Sequence, residues 1–123
     1  MGRKCFIGLG SNAPTTSHLL AAQAELRKYL ADIIFSRVLQ TRPVEYDSPR
    51  PFFNQTAVCT TTMSVEELRH LLKQTERICG RRPEEKAQGI VTIDLDLLWY
   101  DGKVLKPTDW SREYIQKGVK ELQ

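Results

Sequence analysis

Asp94 and Asp96, one residue apart in the run from Val91 to Tyr100, are hard oxygen donors at a spacing that suits a cation. The run is β-branched and apolar with period 2. It reads as a strand with Ile93, Leu95, Leu97 and Trp99 on one face and Thr92, Asp94, Asp96 and Leu98 on the other. Residues i and i+2 of a strand lie roughly 6.5 to 7 Å apart, so two such carboxylates can converge on one cation or a close pair. Like charges in an apolar strand are costly unless a cation or hydrogen-bond donors neutralise them. Mg²⁺ fits the pair, because it binds proteins through one or two carboxylates and takes its other ligands from water and substrate phosphates. The competing reading is an edge strand whose polar face is simply in water.

The elements around the pair must decide. The chain has 123 residues, 41% of them hydrophobic, enough for one core, and we expect a single domain over 1–123 with its core at about residues 4–105 and a tail at 106–123. A formal charge of +3 without a Lys/Arg run argues against nucleic acid. Cys5, Cys59 and Cys79 are odd in number and widely spaced, which argues against a disulfide frame or zinc site and for a reducing compartment. The apolar run after Arg3 and Lys4 is too short for a signal peptide, and no stretch reaches membrane length. A cytoplasmic protein is expected, monomeric, with a dimer left open.

Cys5 to Leu9 reads as a buried strand ending at Gly10, Ser11, Asn12 and Pro14. Gly8, Gly10 and Ala13 match a dinucleotide fingerprint only loosely, and Pro14 stands where that motif needs a helix turn. A helix from about Thr15 to Leu30 follows, then a strand over 33–39 and a long loop over Thr41 to Pro51. Phe52 to Thr62 is a third strand, with Ala57 and Cys59 facing one way and Asn54, Thr56 and Val58 the other. Ser64 with Glu67 forms a capping box for a helix whose apolar face is Val65, Leu68, Leu72, Thr75 and Cys79, with Lys73, Glu76 and Arg77 on the other face and Gly80 as its stop. Arg81 to Gly89 reads as a charged loop, and a short helix with Trp110, Tyr114 and Leu122 as its apolar residues closes the chain. The order β-α-β-β-α-β is that of a ferredoxin-like α+β fold, an antiparallel sheet with its helices on one face. Asp94, Asp96 and Asn54 then share the open face.

These residues resemble the 6-hydroxymethyl-7,8-dihydropterin pyrophosphokinases of folate synthesis over roughly residues 4 to 105. The resemblance rests on Ile7-Gly8-Leu9-Gly10-Ser11-Asn12, Thr41-Arg42-Pro43-Val44, Phe52-Phe53-Asn54, Ser64-Val65-Glu66-Glu67-Leu68, Glu76 with Gly80-Arg81, and Thr92-Ile93-Asp94-Leu95-Asp96. It implies transfer of the terminal pyrophosphoryl group of ATP to the hydroxymethyl of a reduced pterin, leaving AMP, with two Mg²⁺ ions. It makes Asp94 and Asp96 the magnesium ligands and, with Arg81, the residues at the transferred phosphates. Asn54 and Phe52 would meet the pterin, Thr41 and Val44 would contact it from the loop, and Lys73, Glu76 and Arg81 would lie on the nucleotide side.

Where the family has Trp, Gly, Pro and Arg before the Thr-Ile-Asp-Leu-Asp run, this chain has Gln88, Gly89, Ile90 and Val91. The family's C-terminal segment supplies a histidine, an arginine and an aromatic residue; Arg112, Lys117 and Tyr114 are what this tail offers. Two expectations therefore stand side by side: a pyrophosphokinase, or a non-catalytic homologue that binds a nucleotide or pterin without turnover.

Overall fold

β1 (Arg3–Ser11) is the strand on which the others are laid. In the computed structural model, which describes residues 2–42 and 50–123, β1 pairs antiparallel with β4 (Phe52–Thr61) from Arg3↔Thr61 to Ser11↔Phe53. On its other side it pairs antiparallel with β5 (Asp94–Tyr100). Its sequence accounts for this central place, since Cys5, Ile7 and Leu9 are buried on one face and Phe6 on the other, so both faces need cover. β2 (Ile34–Phe35) and β3 (Leu39–Thr41) both pair with β4, and β6 (Lys103–Val104) pairs with β5, giving the order β2-β4-β1-β5-β6. Both neighbours of β1 run antiparallel to it, and Gly8 and Gly10 lie within the strand, so the loose dinucleotide match has no parallel unit to serve.

α1 (Ser17–Arg27) and α2 (Val65–Ile78) cover the same face of the sheet, as the ferredoxin-like order requires. Leu19, Ala22 and Leu26 of α1 and Leu68, Leu71 and Leu72 of α2 join Cys5, Ile7, Leu9, Ala57, Cys59, Ile93, Leu95 and Leu97 in the main core. Burying each of these leucines contributes about 1.5–3 kcal/mol. The Ser64–Glu67 capping box forms in both directions, and Gly80 adopts φ 101 to end the helix run.

In its strands and tail the structure departs from the sequence expectation in three places. The strand over 33–39 is broken: Phe35 pairs with Ala57 and Leu39 with Asn54, so residues 36–38 face only residues 55–56. Ser36 occupies the resulting bulge, its Oγ accepting from Thr56 N at 2.9 Å and its N–H donating to Thr56 O at 2.8 Å. Trp99 lies on the opposite face from Leu97, because a register shift between Phe6 and Ile7 sets Phe6 against Trp99 and Ile7 against Leu97. The tail forms two helices, α3 (Pro107–Trp110) and α4 (Glu113–Leu122), and α4 covers part of the second sheet face. Its buried residues are Ile115, Gly118 and Val119, packed with Phe6 and Leu98, while Trp110 stacks on Trp99 with ring centroids 6.3 Å apart. Gly118 is required by this docking, since a Cβ there would lie 2.4 Å from Thr56 Oγ1.

Candidate active site

Alternation along β5 places Asp94 and Asp96 on one face, and the register of β1 puts Gly10 beside Asp94 and Gly8 beside Asp96. Gly10 also pairs with Asn54 on β4, so Asp94, Gly10 and Asn54 form one row across three strands. A Cβ at Gly10 would meet only Asn54 Oδ1, at 3.5 Å, so the floor between the two polar side chains is open. At the strand spacing of about 4.8 Å, Asp94 and Asn54 stand roughly 10 Å apart on their backbones. The next row, Asp96, Gly8 and Thr56, borders α4, with Ile115 Cδ1 3.5 Å from where a Cβ of Gly8 would be.

Three acids and three bases meet around the β5 carboxylates. Arg81 Nη1 lies 2.9 Å from Asp94 Oδ1 and 3.3 Å from Glu76 Oε2, and donates to Ile93 O at 3.2 Å. Lys106 Nζ donates to Asp96 Oδ1 at 2.7 Å, with Lys73 Nζ 3.8 Å from the same oxygen. Lys73 also donates to Glu76 Oε2 at 3.1 Å and Leu95 O at 3.3 Å. Burial and the neighbouring Asp96 push the Asp94 carboxyl up to about 7, against the pull of Arg81. Burial raises Asp96 as well, but the hydrogen bond shared with Asp94 and the ammonium of Lys106 outweigh it and hold Asp96 below the usual range. The two carboxylates are pushed in opposite directions, and each cation beside them favours the charged form of both.

The two carboxylates are hard oxygen donors on one strand, the donor type that Mg²⁺ takes; among the described residues no group of three or more His, Cys, Asp or Glu could hold a metal ion by protein ligands alone. A site of one or two carboxylates that leaves the remaining ligands to water and phosphate is what Mg²⁺ usually occupies. Beside it opens a pocket of about 430 Å³ walled by Lys73, Arg77, Arg81, Arg82 and Lys86, with Glu76 the acid among them.

Of the residues singled out in the sequence, Asp94, Asp96, Arg81, Lys73 and Glu76 come together here. Glu76 does so differently from expectation. It lies on the inward side of α2 at 4% exposure, not with the outer-face charges, because its carboxylate accepts the Leu95 main-chain N–H at 2.7 Å and so ties α2 to β5. Its burial is offset by that bond and by Arg81 and Lys73. Arg81 to Gly89 likewise holds more order than a loop: Pro83–Gln88 forms a 3₁₀ turn, and the buried Glu85 accepts from Arg82 N, Thr92 N and Thr92 Oγ1.

Asn54 and Thr41 form the second group, with Asn54 Nδ2 donating to Thr41 Oγ1 at 2.6 Å. Phe52 pairs with Thr41 and shares the alternation of Asn54 along β4. Val44 lies outside the described residues. A pocket of about 380 Å³ opens beside Thr41, between β3 and α4, and its far wall is Arg112, Tyr114 and Lys117. Two features of the site escape a reading by strand pattern alone. One is the glycine floor. The other is Lys106, which the β5–β6 hairpin folds back onto Asp96. The signal for that hairpin is Asp101-Gly102, whose positive φ values of 49 and 89 suit a two-residue hairpin turn.

The fold and site define an antiparallel α+β domain that presents a carboxylate pair, ringed by cations, on a sheet face beside two pockets. The chain is 24% identical over 132 aligned positions to the 2-amino-4-hydroxy-6-hydroxymethyldihydropteridine pyrophosphokinase of Porphyromonas gingivalis, covering 95% of this chain and 88% of that one. It is 32% identical to the Bacillus subtilis protein of the same name and 28% identical to that of Aquifex aeolicus, each over 82% of this chain. It spans 62% and 63% of those two proteins' lengths. Residues 6–123 match the 7,8-dihydro-6-hydroxymethylpterin-pyrophosphokinase family, and the chain belongs to that family.

Proposed function

We propose that the protein transfers pyrophosphate from ATP to the hydroxymethyl group of 6-hydroxymethyl-7,8-dihydropterin, a reading supported by its membership of the 7,8-dihydro-6-hydroxymethylpterin-pyrophosphokinase family. The observation that carries this reading is the row Asp94–Gly10–Asn54, which sets a metal-binding carboxylate and an amide that can pair with a heterocycle edge across an open glycine floor. In the reaction the hydroxymethyl oxygen attacks the β-phosphorus of ATP, the bond from that phosphorus to the α,β-bridging oxygen breaks, and AMP leaves. The hydroxyl proton passes to water or to Asp96.

Asp94 and Asp96 would hold the two Mg²⁺ ions, which when bound supply neutralisation of the charge that moves onto the leaving oxygen. Arg81 and Lys73, with Arg82 and Lys86 beyond them, line the cationic pocket and would bind and orient the triphosphate. Asn54 and Thr41 would orient the pterin, with Phe52 and the Tyr114 wall of the neighbouring pocket bounding its ring. Positioning dominates this chemistry, so no strong base is needed.

The test is formation of AMP from ATP, dependent on both Mg²⁺ and the pterin. Asp94→Asn and Asp96→Asn are each expected to lower the rate by about 10²-fold or more, the scale of losing one transition-state electrostatic contact. Failure of the native protein to bind either an ATP analogue or the pterin in the presence of Mg²⁺, by titration calorimetry, would overturn the reading.

A further inference from the structure

We infer that Lys106 is a counter-ion that competes for Asp96: its ammonium pairs with that carboxylate and turns to the triphosphate when Mg²⁺ takes the carboxylate as a ligand. The inference rests on the proposed magnesium and nucleotide chemistry and goes beyond it in assigning a role to a residue outside every motif that led to the site. The ammonium lies 2.7 Å from Asp96 Oδ1, a full charge-assisted hydrogen bond, and the two side chains are 43% and 18% exposed. The lysine reaches this place by a defined route. The Asp101-Gly102 turn reverses the chain, Leu105 N donates to Leu98 O at 2.8 Å, and Pro107 begins α3 directly after it.

Electrostatics then sets the two cations in competition. Mg²⁺ and the Lys106 ammonium draw on the same carboxylate charge and repel each other, so each weakens the other's hold on Asp96. Lys73, the other cation near that oxygen, is 3.8 Å away and already donates to Glu76 and Leu95 O, so Lys106 is the group that moves. Its stem is flexible and carries three donors, and the remaining ligands of Mg²⁺ in such sites are water and phosphate oxygens, so a displaced ammonium finds phosphate within a short swing.

The two halves of the inference have opposite signs, which separates them from damage to the fold. Lys106→Met removes the charge and keeps the stem. With Mn²⁺ alone, followed by the paramagnetic resonance signal of the free ion, Lys106→Met is expected to bind about threefold to tenfold more tightly than the native protein, because Asp96 has lost its competitor. With a non-hydrolysable ATP analogue at saturating Mg²⁺, the same variant is expected to bind about tenfold more weakly, and Lys106→Arg to recover most of that loss. A variant that merely unsettled α3 would bind both ligands more weakly. Mn²⁺ affinity unchanged or lowered in both Lys106→Met and Lys106→Gln, with native binding intact, overturns the role of Lys106 alone. Absence of Mn²⁺ and nucleotide binding in the native protein overturns the site reading and this inference with it.

Discussion

Asn12→Ala tests how the segment before β5 is held. Asn12 is fully buried, and its side chain works in both directions: Nδ2 donates to Gly89 O at 2.8 Å and Oδ1 accepts from Val91 N at 2.7 Å. Its own N–H donates to Val91 O at 2.9 Å, so one residue replaces the ladder that β1 and β5 do not form before Asp94. Truncation leaves the Val91 N–H, on a residue 3% exposed, with no partner, which costs about 1–3 kcal/mol. The Gly89 carbonyl is half-buried and regains water, so its loss is smaller, about 0.5–1.5 kcal/mol. The sum, about 1.5–4.5 kcal/mol, is a large share of the roughly 5–15 kcal/mol of a small domain. Urea unfolding reads it as a lower midpoint at unchanged slope. Hydrogen exchange adds the local signature: Val91 loses protection in the variant while the β1–β4 amides exchange only on global unfolding. A stability change below about 0.5 kcal/mol, with Val91 still protected, would refute the clamp.

Gly118→Ala places a Cβ 2.4 Å from Thr56 Oγ1 and 3.3 Å from Ser36 Oγ, both on the structured core. The overpacking cost of about 1–3 kcal/mol exceeds the roughly 1 kcal/mol that alanine adds to a helix, so the melting temperature falls and tryptophan emission from Trp99 and Trp110 shifts to the red; a higher melting temperature would show that α4 does not dock by this contact. At Glu85, burial raises the carboxyl, but hydrogen bonds from Thr92 and Arg82 and the charge of Arg81 outweigh it and hold it below its ordinary 4.5. Its contribution is therefore present above pH 4.5 and lost as pH falls through the lowered value. Acid unfolding curves of the native protein and Glu85→Gln are expected to converge below that window, and a gap that stays constant down to acid pH would contradict the assignment.

Alternation alone was enough to put Asp94, Asp96 and Asn54 on one face, because each strand keeps period 2 through those residues. The capping box was equally legible, since its two hydrogen bonds join residues three apart. The side of Trp99 was not: a bulge opposite Phe6 is a choice of backbone register that no residue type there announces. Glu76 misled for a related reason. Its partner is a main-chain N–H 19 residues later on another element, and a helix wheel scores a buried glutamate as an outer-face charge. The break at Ser36 depends on Oγ standing in for a ladder bond to Thr56, a local exchange that apolar composition over 33–39 conceals. Lys106 was hidden because its role comes from a hairpin that returns it to Asp96, not from its neighbours in the chain.

The central place of β1 has a kinetic side. Its ladder partners sit far along the chain, with Arg3 opposite Thr61 and Cys5 opposite Tyr100, so β1 waits for two distant strands before both its edges are paired. Closing loops of that length costs entropy before any sheet contact repays it, and domains dominated by such distant pairings fold slowly for their size. A nascent chain thus carries β1 with both edges unpaired until β4 and β5 have emerged, and a pause in translation before then would expose a strand prone to pair with another chain.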